Sequence, residues 1–142
     1  MNNVKTPSLN TIIVGHRGAR QEAPENTLAG FRLLQSLGIH HVELDLHLSK
    51  DNQLVVIHDK TVDRTTAHCG NISDFTAANL AKMNAAHHFP NWNRHSGIPL
   101  LDEILEEWHE LKSIQLEVKP PRKEQSPILI QEITHLINRH QL

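Results

Sequence analysis

Residues 42–59 read VELDLHLSKDNQLVVIHD, and the spacing inside this stretch decides the fold. Val42, Leu44 and Leu46 alternate with Glu43 and Asp45, the period of a strand with one apolar and one acidic face. Residues 54–57, LVVI, form a second apolar and β-branched run. Only LSKDNQ, residues 48–53, lies between the two runs. A parallel crossover needs about a dozen residues or more, so 43–58 predicts an antiparallel hairpin turning at 50–52. His58 and Asp59 then stand just past a hairpin instead of at the end of a parallel strand.

Outward from the hairpin the chain alternates. TIIVG at 11–15 predicts a strand, followed by HRG. In EAPENT at 22–27, Asn26 or Thr27 suits a helix cap. Leu28, Phe31, Leu34 and Leu37 make a helical stripe that Gly38 ends. Strand, helix, strand makes the strands at 11–15 and 41–46 parallel. Residues 60–98 read as irregular, with one short helix near 77–83, and look inserted. Regularity resumes at Pro99, where Leu101, Ile104, Leu105, Trp108 and Leu111 recur at helical spacing. SIQLEVK at 113–119 alternates again, with Gln115, Glu117 and Lys119 on one face. Pro120 and Pro121 end that strand. Ser126 and Pro127 fit the cap and first position of a last helix, striped by Ile130, Ile133, Leu136 and Ile137. The order β–α–β–insertion–α–β–α is an α/β fold, in which ligands gather at the carboxyl ends of the parallel strands.

Composition narrows the function. A chain of 142 residues with 38% apolar and 21% charged residues suits one globular domain. A net charge of −2 gives no general attraction to nucleic acid or an anionic membrane. The single cysteine, Cys69, excludes an intrachain disulfide and a cysteine-based zinc site. Residues 1–11 lack the apolar segment of a secretion signal, and no run approaches the ~18 apolar residues of a membrane span. The expectation is a soluble, cytoplasmic protein.

Chemistry concentrates at the strand ends. Glu43 and Asp45, two apart, leave the same face. Such a pair repels unless protonated, paired or bridged by a cation, and its oxygens suit Mg²⁺ or Ca²⁺. Glu117 stands similarly on another parallel strand. A half-exposed strand pointing its acids to solvent would carry the same residues. His16 and His58 each follow a strand and can trade protons near neutral pH. Across a phosphodiester they would serve as base and acid. Arg17 offers a fork for phosphate, and Lys119 could neutralise a phosphate oxygen. Asp59 and Arg64 read as a pair within the insertion.

Seven motifs in order carry a family resemblance: HRG at 16–18, APENT at 23–27, VELDLHLSKD at 42–51, VVIHD at 55–59, DRTT at 63–66, IPLLDEIL at 98–105 and LEVKP at 116–120. From near residue 12 onward the chain resembles the glycerophosphodiester phosphodiesterases. The resemblance implies metal-dependent hydrolysis of small-molecule glycerophosphodiesters to glycerol 3-phosphate and an alcohol. It implies His16 and His58 as the acid–base pair. Glu43, Asp45 and Glu117 would hold one divalent cation, Mg²⁺ or Ca²⁺. Arg17 and Lys119 would bind the phosphate, with Asn26 supporting the site. Leu100 departs from the family, which often has Thr there as a helix cap.

The implied fold is a TIM (β/α)₈ barrel with a hairpin-plus-helix insertion after its second strand. Such a barrel takes about 250 residues and rarely fewer than about 200. This chain offers three barrel strands, at 11–16, 41–46 and 113–119. The expectation is therefore the N-terminal portion of a barrel: residues 1–142 as one incomplete domain, with 47–98 as the inserted subdomain. The alternative is a truncated, inactive fragment, or a half-barrel that self-associates or needs a complementing C-terminal chain.

Overall fold

A computed structural model describes residues 11–142. The polar stretch judged to lack a secretion signal falls almost wholly on residues 1–10, outside the described residues. The strands are β1 (Gly15–His16), β2 (His41–Leu48), β3 (Leu54–Val56) and β4 (Ser113–Val118). The helices are α1 (Leu28–Ser36), α2 (Ala77–Lys82), α3 (Leu101–Glu107) and α4 (Ser126–His140). Short 3-10 turns at Ile72–Asp74 and Lys123–Gln125, which the periodicity did not suggest, complete the regular structure.

β2 is the axis of the sheet. β1 and β4 pair with it in parallel and β3 antiparallel. The backbone amides of Arg17 and Ile57 donate to the carbonyls of Glu43 and Asp45, whereas that of Lys119 donates to Leu46. Alternate carbonyls of a strand point to opposite edges. β1 and β3 therefore share one edge of β2 in succession, and β4 takes the other. The turn of the hairpin closes through Asn52, whose N–H donates to the Ser49 carbonyl and whose φ of 60° lies in the left-handed region. The expected hairpin is thus present.

The first strand is shorter than expected. Gly15 pairs with Val42 and His16 with Glu43, and β2 itself begins at His41. Residues 11–13 run past the start of β2 and have no ladder partner among the described residues. Ile12 and Ile13 are each 63% exposed.

Val42, Leu44 and Leu46 are fully buried beneath Phe31 and Leu34 of α1, Leu101, Ile104 and Leu105 of α3, and Leu129 and Leu136 of α4. Thr27, not Asn26, caps α1: its Oγ1 accepts from the Gly30 N–H at 3.2 Å. Leu37 falls at the end of α1 and is exposed. At α3 the leucine in the cap position has no oxygen to offer, but Glu103 Oε2 accepts from the Leu100 N–H at 2.8 Å, half of a capping box. In α4, Ser126 already lies inside the helix and Gln125 precedes it. The buried face of α4 is Leu129 and Leu136, while Ile130 and Ile137 are exposed. Of the predicted stripe, Leu136 is buried and Ile133 packs against the core, while Leu129 takes the place expected of Ile130.

A second apolar cluster joins Val55 and Ile57 to Val62, Ile72, Leu80, Met83, Ala85 and Ile98. The segment after the hairpin therefore packs on a small core of its own, against the reverse face of β3. Among the described residues no helix is long and apolar enough to cross a membrane.

Candidate active site

Because Val42, Leu44 and Leu46 face the helices, Glu43 and Asp45 must face the other way. Register does the rest. His16 lies beside Glu43, and Asp45 lies beside Glu117. One oxygen each of Glu43, Asp45 and Glu117 fall within 4.8 Å of one another. The three acids expected to meet do meet.

Asp45 is fully buried and the most heavily supported of the three. Asn26 Nδ2 donates to its Oδ2 at 3.0 Å. Arg17 Nε lies 3.2 Å from the same oxygen, and Lys119 Nζ lies 2.9 Å from Oδ1. Burial works against the charge, yet the Asn26 hydrogen bond and the Lys119 and Arg17 cations together hold the Asp45 carboxyl below the usual carboxylate range. Lys119 also pairs with Glu117. Glu43 Oε2 accepts from the Arg17 N–H at 3.0 Å, while Glu43 Oε1 is buried without a hydrogen-bond partner among the described residues.

The loop after β1 bends sharply to make these contacts. Arg17 and Asn26 both have positive φ, 54° and 53°, and the Asn26 N–H donates to the Arg17 carbonyl at 2.9 Å. Two non-glycine residues in the left-handed region mark a backbone held by its surroundings. The bend brings Asn26 under Asp45.

The two histidines differ. His16 is half exposed, with Nε2 3.6 Å from Glu43 Oε2. Arg20 NH1 lies 3.1 Å from His16 Nδ1. A guanidinium only donates, so Nδ1 accepts and the proton of the neutral ring sits on Nε2. His58 pairs through Nδ1 with Asp59 Oδ1 at 2.6 Å. The Arg64 hydrogen bond outweighs partial burial and, with His58, holds Asp59 at about 2. An ionised carboxylate only accepts, so His58 carries its proton on Nδ1 and leaves Nε2 open.

Spacing alone did not reveal the partners of His58. Arg64 does pair with Asp59, as expected, but it also donates to Glu25 through two nitrogens at 2.6 and 3.1 Å. Glu25 accepts in turn from Arg17. His47, given no role by its spacing, donates from Nε2 to the His58 carbonyl at 3.1 Å, and burial pushes its imidazole down.

The depressed Asp59 value fixes a sign for acid stability. Above the unfolded carboxylate value, near ~3.9, its ion pair contributes fully. That contribution is lost as pH falls toward about 2. Urea midpoints of the wild-type chain and Asp59→Asn should therefore differ at about pH 5 and converge toward about pH 2.5. A constant difference across that window would contradict the pairing.

In α/β folds such strand ends are where ligands gather. The chain belongs to the glycerophosphoryl diester phosphodiesterase family, whose model matches residues 16–140. A glycerophosphodiester phosphodiesterase of Caldanaerobacter subterraneus subsp. tengcongensis is 43% identical over 98 residues, covering 69% of this chain and 40% of that protein. The crystal structure of glycerophosphodiester phosphodiesterase from Agrobacterium tumefaciens matches with a TM-score of 0.81 at 31% identity, over 92% of this chain and 54% of that one. An Oleispira antarctica phosphodiesterase, solved in complex with the product sn-glycerol-3-phosphate, matches with a TM-score of 0.78 at 30% identity, over 92% and 53%. The chain spans about half the length, or less, of these relatives.

Proposed function

We propose that this chain carries the N-terminal, site-bearing portion of a TIM-barrel domain that hydrolyses glycerophosphodiesters to glycerol 3-phosphate and an alcohol. In this reading β1, β2 and β4 are three barrel strands, and the segment from the end of β2 to residue 98 forms the inserted subdomain. The observation that carries it is the register of His16 beside Glu43 and Asp45 beside Glu117, which gathers three carboxylates at parallel strand ends.

Glu43, Asp45 and Glu117 would hold one divalent cation. The all-oxygen donor set suits Mg²⁺ or Ca²⁺, and the unpartnered Glu43 Oε1 is a buried acceptor that a cation would satisfy. When bound, such an ion would offset charge developing on the phosphoryl group. Arg17 and Lys119, both already drawn to this face by Asp45, would hold phosphate oxygens. His58, with Nε2 open, and His16, with its proton on Nε2, would move the protons. Asn26 would keep the Asp45 carboxylate oriented.

The test is release of glycerol 3-phosphate from glycerophosphocholine by the full chain with MgCl₂ or CaCl₂. His16→Ala is expected to lower the rate by about 10²–10⁴. Equal rates for wild type and His16→Ala would overturn the reading for this chain.

A second reading is that catalysis needs further barrel strands from a complementing chain or a second copy. Val118 of β4 is 42% exposed, and Ile12 and Ile13, just before β1, are each 63% exposed, apolar surface that such strands would cover. Three parallel strands do not close a barrel, and closure is what removes unpaired edges.

A further inference from the structure

We infer that Arg64 is a positioning residue that sets His58 and Arg17 jointly, by gripping Asp59 and Glu25 at the same time. The inference rests on the reading of His58 and Arg17 as site residues. Arg64 Nε donates to Asp59 Oδ2 at 2.7 Å, and NH2 reaches Asp59 Oδ1 at 3.2 Å. NH1 and NH2 donate to the two oxygens of Glu25 at 3.1 and 2.6 Å. All three guanidinium nitrogens are engaged, in two forks, on carboxylates from different parts of the fold. Asp59 follows the hairpin, whereas Glu25 lies in the loop between β1 and α1, 39 positions from Arg64.

Each fork ends on a site residue. Asp59 Oδ1 accepts from His58 Nδ1 at 2.6 Å. Glu25 Oε1 accepts from Arg17 NH1 at 3.4 Å, and Arg17 Nε lies 3.2 Å from Asp45. Glu25 also directly precedes Asn26, whose strained backbone brings its amide to Asp45. A continuous line of paired groups runs His58–Asp59–Arg64–Glu25–Arg17–Asp45. It crosses from the hairpin side of the sheet to the acids of β2.

Isolated exposed ion pairs contribute little to stability, and Arg64 is about half exposed. The consequence of this network is therefore orientation. A bidentate carboxylate fixes the plane of its partner, and only a guanidinium presents two such forks at once. Lysine, with one ammonium, can keep one acid but cannot hold both in plane.

The experiment reads the His58 ring directly and needs no substrate, so its outcome is independent of the hydrolysis assay. Long-range ¹H–¹⁵N spectra of the full chain at neutral pH should show wild-type His58 protonated on Nδ1. Arg64→Gln should move its two ring nitrogens toward an even tautomer mixture. Glu25→Gln touches neither His58 nor Asp59, yet should shift the same signals in the same direction by a smaller amount. In the Arg64→Gln background Glu25→Gln should add nothing, and Arg64→Lys should leave the ring nearer the Gln variant than the wild type. The inference is overturned if Glu25→Gln leaves His58 at its wild-type position. It is equally overturned if the Glu25 effect persists undiminished without Arg64.

Discussion

Asp45→Asn is expected to lower phosphodiester hydrolysis by on the order of 100-fold or more, in a chain checked for folding by circular dichroism. Changing a residue that merely supports a metal ligand typically costs about 10–100-fold in affinity or activity, so losing the charge of a proposed ligand should do at least as much. Asp45 is the group on which the site converges. It is buried, it takes the Asn26 hydrogen bond, and two cations lie within 3.2 Å of its oxygens. Asparagine keeps the shape and can still accept from Asn26, but it leaves Arg17 and Lys119 without their shared counter-charge. The loss should appear in the rate of glycerol 3-phosphate release at saturating Mg²⁺ or Ca²⁺. An unchanged rate would remove Asp45 from the mechanism.

Leu44→Ala is the counterpart on the opposite face of the same strand. Leu44 is fully buried, between Glu43 and Asp45 in sequence, and belongs to the cluster that includes Phe31, Ile104 and Leu136. Truncating a buried leucine removes transfer free energy and leaves a cavity, together about 2–5 kcal/mol. For a chain of this size the midpoint should fall by several degrees per ~1 kcal/mol, so a drop of roughly 10 °C is expected. Thermal unfolding followed by circular dichroism measures it. A shift near zero would mean that β2 is not the centre of the core.

Much of this was legible in residues 42–59. The alternation of VELDL separates the helix-packed face from the acidic face, and both faces behave as the pattern requires. The six-residue link forces an antiparallel hairpin, because no parallel crossover is that short. Other features depend on distance in space. The true length of β1 is set by where β2 begins, which no local pattern in TIIVG reveals. On α4 the predicted Ile133 and Leu136 do face the core, but Leu129 and Ile130 are equally apolar in sequence and only packing chooses Leu129. Glu25 and Arg64 sit 39 positions apart, and the sequence pairs Arg64 only with Asp59. Their link comes from tertiary packing, as does the pairing of Arg17 with Asp45.

If Glu43, Asp45 and Glu117 form one divalent-cation site, the chain should bind the ion without substrate. Calorimetric titration of the full chain with MgCl₂ and CaCl₂ tests it most directly, beside the Asp45→Asn chain matched for circular dichroism. The prediction is a single saturable site per wild-type chain that Asp45→Asn abolishes. No binding by the wild type, or equal binding by the two chains, would contradict it.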